Sequence, residues 1–252
     1  MPLQNAASAA VPSTWSPYCG VAPSPAELLT RWNLDPWLLA AFAGGAVVWL
    51  GVRRPGERND RLLGAAGLVL ALAFVSPLCA LTSALFCVRI VHHGLLVLVA
   101  APLLAYGLPS CARRPRLAGL TGAHAAVFWA WHAPGVYAWA LSHDAAYWMM
   151  QLSILGTAVL MWRAIRVCGG LAAAAALLAS MVQMGLLGAL ITFAPRPLYA
   201  PHLTSTWSWG LTPLADQQLA GLIMWAPMAG AYLLSALAIV GRSLSAPRPA
   251  AP

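Results

Sequence analysis

Lysine is absent from this 252-residue chain, acidic residues number six, and charged side chains of either sign make up only 8% of it. Soluble domains carry roughly 25% charge. A fold surrounded by water is therefore excluded, because the polar surface is too small to cover so apolar a chain. Also missing are G-x-G-x-x-G, G-x-x-x-x-G-K-[ST] and H-E-x-x-H patterns, and any pair of acids within one apolar stretch. Their absence removes the apparatus of nucleotide hydrolysis and zinc proteolysis, so no enzyme is expected. Intramembrane acid is too scarce for ordinary proton coupling, since Asp144 and Asp216 alone touch the apolar segments, both at an edge. Residues 1–30 have no early positive charge and no apolar core, which does not fit a signal peptide.

Hydrophobic residues make up 61% of the sequence and the mean hydropathy is +0.74. The expected fold class is an all-α integral membrane protein with seven transmembrane helices, the N-terminus outside and the C-terminus cytoplasmic. Residues 1–30, rich in Ala, Pro and Ser, read as a disordered outer tail, 31–242 as the membrane domain and 243–252 as a cytoplasmic tail. The spans run from Asp35-Pro36 to Arg53, Leu62 to Leu81, Phe86 to Tyr106, Gly119 to Leu141, Asp144 to about Trp162, Leu171 to Phe193 and Leu214 to Val240. Each is about 18–25 residues, enough to cross ~30 Å of hydrocarbon. Small residues at Gly185, Gly188 and Ala189, and at Ala43 to Ala46, suit close helix approach. Pro134, just after His132, breaks the hydrogen-bond ladder of the fourth span and frees a carbonyl beside that histidine.

The positive charge is all arginine, and its placement sets the orientation. Eleven of the fourteen (Arg53, Arg54, Arg58, Arg61, Arg113, Arg114, Arg116, Arg163, Arg166, Arg242, Arg248) fall on one side. Only Arg31, Arg89 and Arg196 fall on or near the other. That asymmetry is a positive-inside pattern, and an odd number of spans preserves it. Arginines confined to short loops do not form a nucleic-acid-binding face, so the expected environment is membrane lipid without nucleic acid. Cys19, Cys79 and Cys87 fall near the outer face, Cys111 and Cys168 near the inner. Cys79 and Cys87 bracket a tight turn, where a disulfide, a shared soft-metal site and plain apolar filling are all open readings.

Polar residues inside membrane helices are costly and point to function. Here they gather toward the outer half. His92 and His93 lie about two turns into the third span, and His132 lies roughly 14 Å below the outer boundary at 1.5 Å per residue. Met150 and Gln151 are about two turns into the fifth span, Gln183 is near mid-membrane in the sixth, and Asp216 and Gln217 open the seventh. Imidazole and thioether suit copper, which makes His92, His93, His132 and Met150 the candidate metal ligands, with Gln151, Gln183, Asp216 and Gln217 as further polar groups. The competing readings are interhelical hydrogen bonding for the histidines, core filling for the methionine, and capping of the seventh span for Asp216.

Several segments resemble the CtaG-type cytochrome c oxidase assembly factors, the multi-span family. They are GLLGALITFAPRPLY from Gly185 to Tyr199, WGLTPLADQQLAGLIMWAP from Trp209 to Pro227, FWAWHAPGVYAWAL around His132, HHGLLVLVAAPLLAYGLP from His92 to Pro109, and LDPWLL at the first span. The resemblance implies a seven-helix inner-membrane protein that matures a haem-copper oxidase. Its implied partners are oxidase subunits and a periplasmic copper chaperone, and its implied cargo is copper. Many members carry two histidines four residues apart in the third span, where this chain has Arg89 and His93. Many also carry H-x-x-E-H at the start of the fifth span, where this chain has Tyr147, Met150 and Gln151 at the corresponding positions. Copper transport across the membrane and a metal-free scaffold for oxidase subunits are the alternative functions.

Overall fold

The computed structural model describes residues 15–52, 58–109 and 115–245. Arg53, Arg54, Cys111, Arg113, Arg114 and Arg248, like the two ends of the chain, lie outside the described residues. Among those described, every regular element is helical. The main helices are α1 (Pro36–Val52), α2 (Arg58–Phe74), α3 (Pro77–Ala84), α4 (Phe86–Gly107), α5 (Leu117–His132), α6 (Pro134–Ala140), α7 (Asp144–Cys168), α8 (Gly170–Thr192) and α9 (Pro213–Ser245).

Helices α4, α7, α8 and α9 are each long and apolar enough to cross a membrane, and α2 with α3 makes a fifth if the pair is one span bent by 47°. The protein is thus a multi-pass helical membrane protein. Three of the seven expected spans are not single long helices, the bent α2–α3 pair being the second. α1 is apolar but shorter, and the fourth expected span is divided into α5 and α6 at Ala133-Pro134.

Both breaks follow local chemistry. Ser76 accepts the Leu78 N–H at 3.2 Å while Pro77 occupies the first helical position, so α3 starts afresh where the apolar run suggests continuity. The carbonyls exposed there find partners: Asn33 Nδ2 donates to Phe74 O at 3.1 Å and the Asn33 N–H donates to Val75 O at 2.9 Å. At the second break Pro134 starts α6, and the carbonyl it leaves at His132 accepts the Tyr199 hydroxyl at 2.9 Å.

Apolar side chains on the outside confirm the class. Leu178, Val182, Leu186 and Leu190 form an exposed stripe at every fourth residue of α8. The opposite face of α8 meets α9 at two glycines. A Cβ on Gly188 would lie 2.7 Å from Gly221 O, so only glycine permits this approach. Arg166 Nη1 donates to Ala105 O, Tyr106 O and Leu108 O at 3.0–3.1 Å, and Arg163 donates to Pro109 O at 2.8 Å. Two arginines of α7 thereby satisfy carbonyls at and just beyond the C-terminal end of α4, where positive charge is favoured.

The expectation of a disordered tail over 1–30 does not hold for residues 15–30. Cys19 is disulfide-bonded to Cys79 at the start of α3, Tyr18 stacks on Tyr147 with ring centroids 5.0 Å apart, and Trp209 Nε1 donates to Pro23 O. The N-terminal segment is a strap across one end of the bundle. Of the open cysteine readings, pairing of Cys79 with Cys87 is excluded, because Cys87 is free and buried.

Candidate functional site

Beneath that strap, α4, α5 and α7 converge on a buried polar cluster. α4 supplies Arg89, His92 and His93, all at 0% exposure, and the end of α5 supplies His132 at 2%. The ring centroids of His93 and His132 are 5.4 Å apart, and those of His92 and His93 are 5.9 Å apart. Phe128 stacks on His132 at 4.2 Å, and Phe74 meets His92 edge-on at 5.0 Å. His132 Nδ1 is bonded to Phe128 O at 2.6 Å, so this nitrogen carries the proton and Nε2 is left with a lone pair. Neither ring nitrogen of His92 or His93 makes a hydrogen bond of good geometry, nor does His132 Nε2, and the Ala73 backbone is the polar neighbour of His92. Buried polar atoms are nearly always bonded. Five imidazole nitrogens in one place without a well-formed hydrogen bond are therefore the site's defining feature.

Directly after these histidines α4 widens into a π-helical segment, Leu95–Ala100. Such segments recur at functional sites. The Trp162 Nε1–H donates to Val97 O within it at 2.9 Å. A second π-helical segment, Met224–Met228 around Pro227, interrupts α9, and Met228 packs against Gly94.

Met150 and Gln151 on α7 are buried, and the Gln151 amide makes no hydrogen bond of good geometry, the Tyr147 hydroxyl being its polar neighbour. The other predicted residues lie elsewhere. Gln183 accepts the Trp129 Nε1–H at 2.8 Å between α8 and α5. Asp216 does not cap its own helix, since Thr212 does that by accepting the Ala215 N–H at 3.1 Å. Instead the Asp216 carboxylate accepts the Phe86 N–H at 2.7 Å and the Cys87 N–H at 3.1 Å, capping α4 from across the bundle. Gln217 accepts the Leu198 N–H at 2.6 Å and donates to Ile191 O and Arg196 O, fastening the chain between α8 and α9.

That connecting segment brings in the outer-loop His202 and, with α6, two tyrosines the sequence did not mark. Tyr199 stacks on Phe86 at 3.7 Å, and the Tyr137 hydroxyl is bonded to His202 Nε2 at 2.7 Å. Burial, with the Arg89 charge adding to it, pushes His202 down to about 3, so its ring is neutral at physiological pH. Burial likewise raises Tyr199. Tyr137 and Tyr199 look like core aromatics in sequence; their one signal is that each falls within a segment carrying the resemblance.

Imidazole nitrogens with open lone pairs can bind a soft or borderline metal ion. Among the described residues no group of three or more His, Cys, Asp or Glu side chains is arranged to hold one. The arrangement therefore offers adjacent imidazoles, His93 beside His132, rather than a closed cage.

The sequence model of one protein family, described as cytochrome c oxidase caa3 assembly factor, matches residues 114–246, just over half of the chain. The matched region includes His132, Tyr137, Tyr147, Gln151, His202 and Asp216 and begins after α4. No curated protein and no solved structure matches the chain.

Proposed function

Because the chain belongs to the cytochrome c oxidase caa3 assembly factor family, we propose that it matures a haem-copper oxidase non-catalytically, handling copper as cargo at His93 and His132. His92 and Met150 are the supporting ligands in this reading. The observation that carries it is the group of imidazole nitrogens on α4 and α5 without well-formed hydrogen bonds. Two imidazoles are a weak set beside a structural metal cage, which suits an ion that must be released to an acceptor. The acceptor is an oxidase subunit, and the donor is a periplasmic copper chaperone.

The proposal includes seven spans in a bacterial inner membrane, with α1, α2–α3 and α5–α6 as the first, second and fourth. The N-terminus is outside and the C-terminus cytoplasmic. Two independent features support this orientation. Arginines gather at one end, and the Cys19–Cys79 disulfide lies at the other, as an oxidising periplasm favours. A metal-free scaffold is the second reading, favoured by the lack of a three-residue metal group among the described residues.

The test is to load the purified protein with Cu(I) under reducing conditions and to compare stoichiometry with a His93→Ala, His132→Ala double variant. Loss of bound copper in the variant supports the cargo reading. Equal copper in both would leave only the scaffold.

A further inference from the structure

Arg89 stands in the first turn of α4 at 0% exposure. Its Nη2 reaches Thr82 O at 3.4 Å, a long contact, Nε and Nη1 make no hydrogen bond of good geometry, and the Tyr137 and Tyr147 hydroxyls are its neutral polar neighbours. The guanidinium lies over the Tyr147 ring, 5.5 Å from its centroid. The sole ion pair among the described residues is Arg31–Glu27 at the surface, so no described carboxylate neutralises Arg89. The Asp216 oxygens are taken up by the N–H groups of Phe86 and Cys87. The groups within electrostatic range of the guanidinium are Tyr137, Tyr147, His92, His93 and His202, none of them a carboxylate.

A buried charge without a counter-charge is strongly disfavoured, and inside a membrane protein it marks a site whose partner must be sought. The guanidinium's planar fork of N–H donors matches the two oxygens of a carboxylate. One turn along α7 from Tyr147, the buried Gln151 amide adds a further donor. We infer that Arg89, with Gln151, forms a binding site for a small carboxylate anion. This site does not depend on the copper reading. If that reading also holds, the carboxylate lies beside His93 and offsets the charge of the metal.

The probe is formate. The full chain, purified in detergent without added metal, is held in a buffer whose only anion is a bulky sulfonate, and thermal unfolding is followed by circular dichroism. Wild type shows a saturable rise in Tm with sodium formate, as a ligand of the folded state requires. Sodium chloride at the same ionic strength gives no rise, and Arg89→Met loses the formate response. Without formate, Arg89→Met unfolds at a higher temperature than wild type, because the unpaired charge is gone. Should Arg89→Met fail to fold, Arg89→Lys keeps the charge without the fork and requires more formate for the same shift. A wild type indifferent to formate, an equal response to chloride, or a full formate response in the folded variant overturns the inference.

Discussion

Asp216 shows what a residue's local setting reveals and what it hides. Its place in the first turn of α9 fits a helix cap, and the sequence suggests one for its own helix. Capping grammar runs over three or four neighbouring residues and carries no record of a second helix whose open N–H groups lie opposite. Thr212 fills the local role, which leaves Asp216 to hold Phe86 and Cys87 at the head of α4. The cap therefore fixes the end of the helix that carries Arg89, His92 and His93. Asp216→Ala leaves two buried donors without their acceptor, a loss of about 1–3 kcal/mol for each such group. A fall in Tm measured in detergent is expected, partly recovered in Asp216→Asn; an unchanged Tm in the alanine variant contradicts the capping role. The histidines were more legible, because charge-capable residues in apolar helices are rare enough for depth alone to gather them. Gln183 had the same signal but pairs with Trp129 on another face of the bundle. Which face a mid-helix residue presents depends on helix rotation, which the sequence does not state.

At the scale of elements, long apolar runs located the starts of α4, α7, α8 and α9 to within one residue, because a span needs about 20 such residues whatever its neighbours, while α7 and α9 run on about five or six residues past the expected ends. Breaks within runs were harder to see. Ser76-Pro77 carries a helix-start signal, yet it sits inside an apolar stretch long enough to read as one span, while Pro134 was visible as a break. Of the two π-helical segments, Met224–Met228 is marked in sequence by Pro227, whereas Leu95–Ala100 left no such trace, since its widened turn is chosen by packing where Trp162 meets Val97 O. The short and broken elements carry the seven-span proposal, and thiol labelling tests it. In a chain with Cys87 and Cys111 replaced by Ser, a membrane-impermeant maleimide applied to intact cells should label Ser208→Cys in the exposed segment before α9 and spare Cys168 at the end of α7. Labelling of Cys168 contradicts the orientation.

Across the whole molecule, one end is tied together and the other is positively charged. At the tied end the strap is fixed by Cys19–Cys79 and by stacking of Tyr18 on Tyr147, directly over Arg89 and the histidines. At the other end Arg163 and Arg166 meet the last carbonyls of α4 and the loop that follows. α4 thus runs from a cluster of buried imidazoles to an arginine-capped terminus. The family relation names the process the chain serves, and the cluster is where the molecule has chemistry to contribute to it. The most direct measurement is oxidase activity and the haem spectrum of membranes from cells lacking this gene, complemented with either wild type or the His93→Ala, His132→Ala variant at matched protein levels. The account predicts that wild type restores both activity and spectrum and that the variant leaves activity low; full recovery of activity by the variant would contradict it.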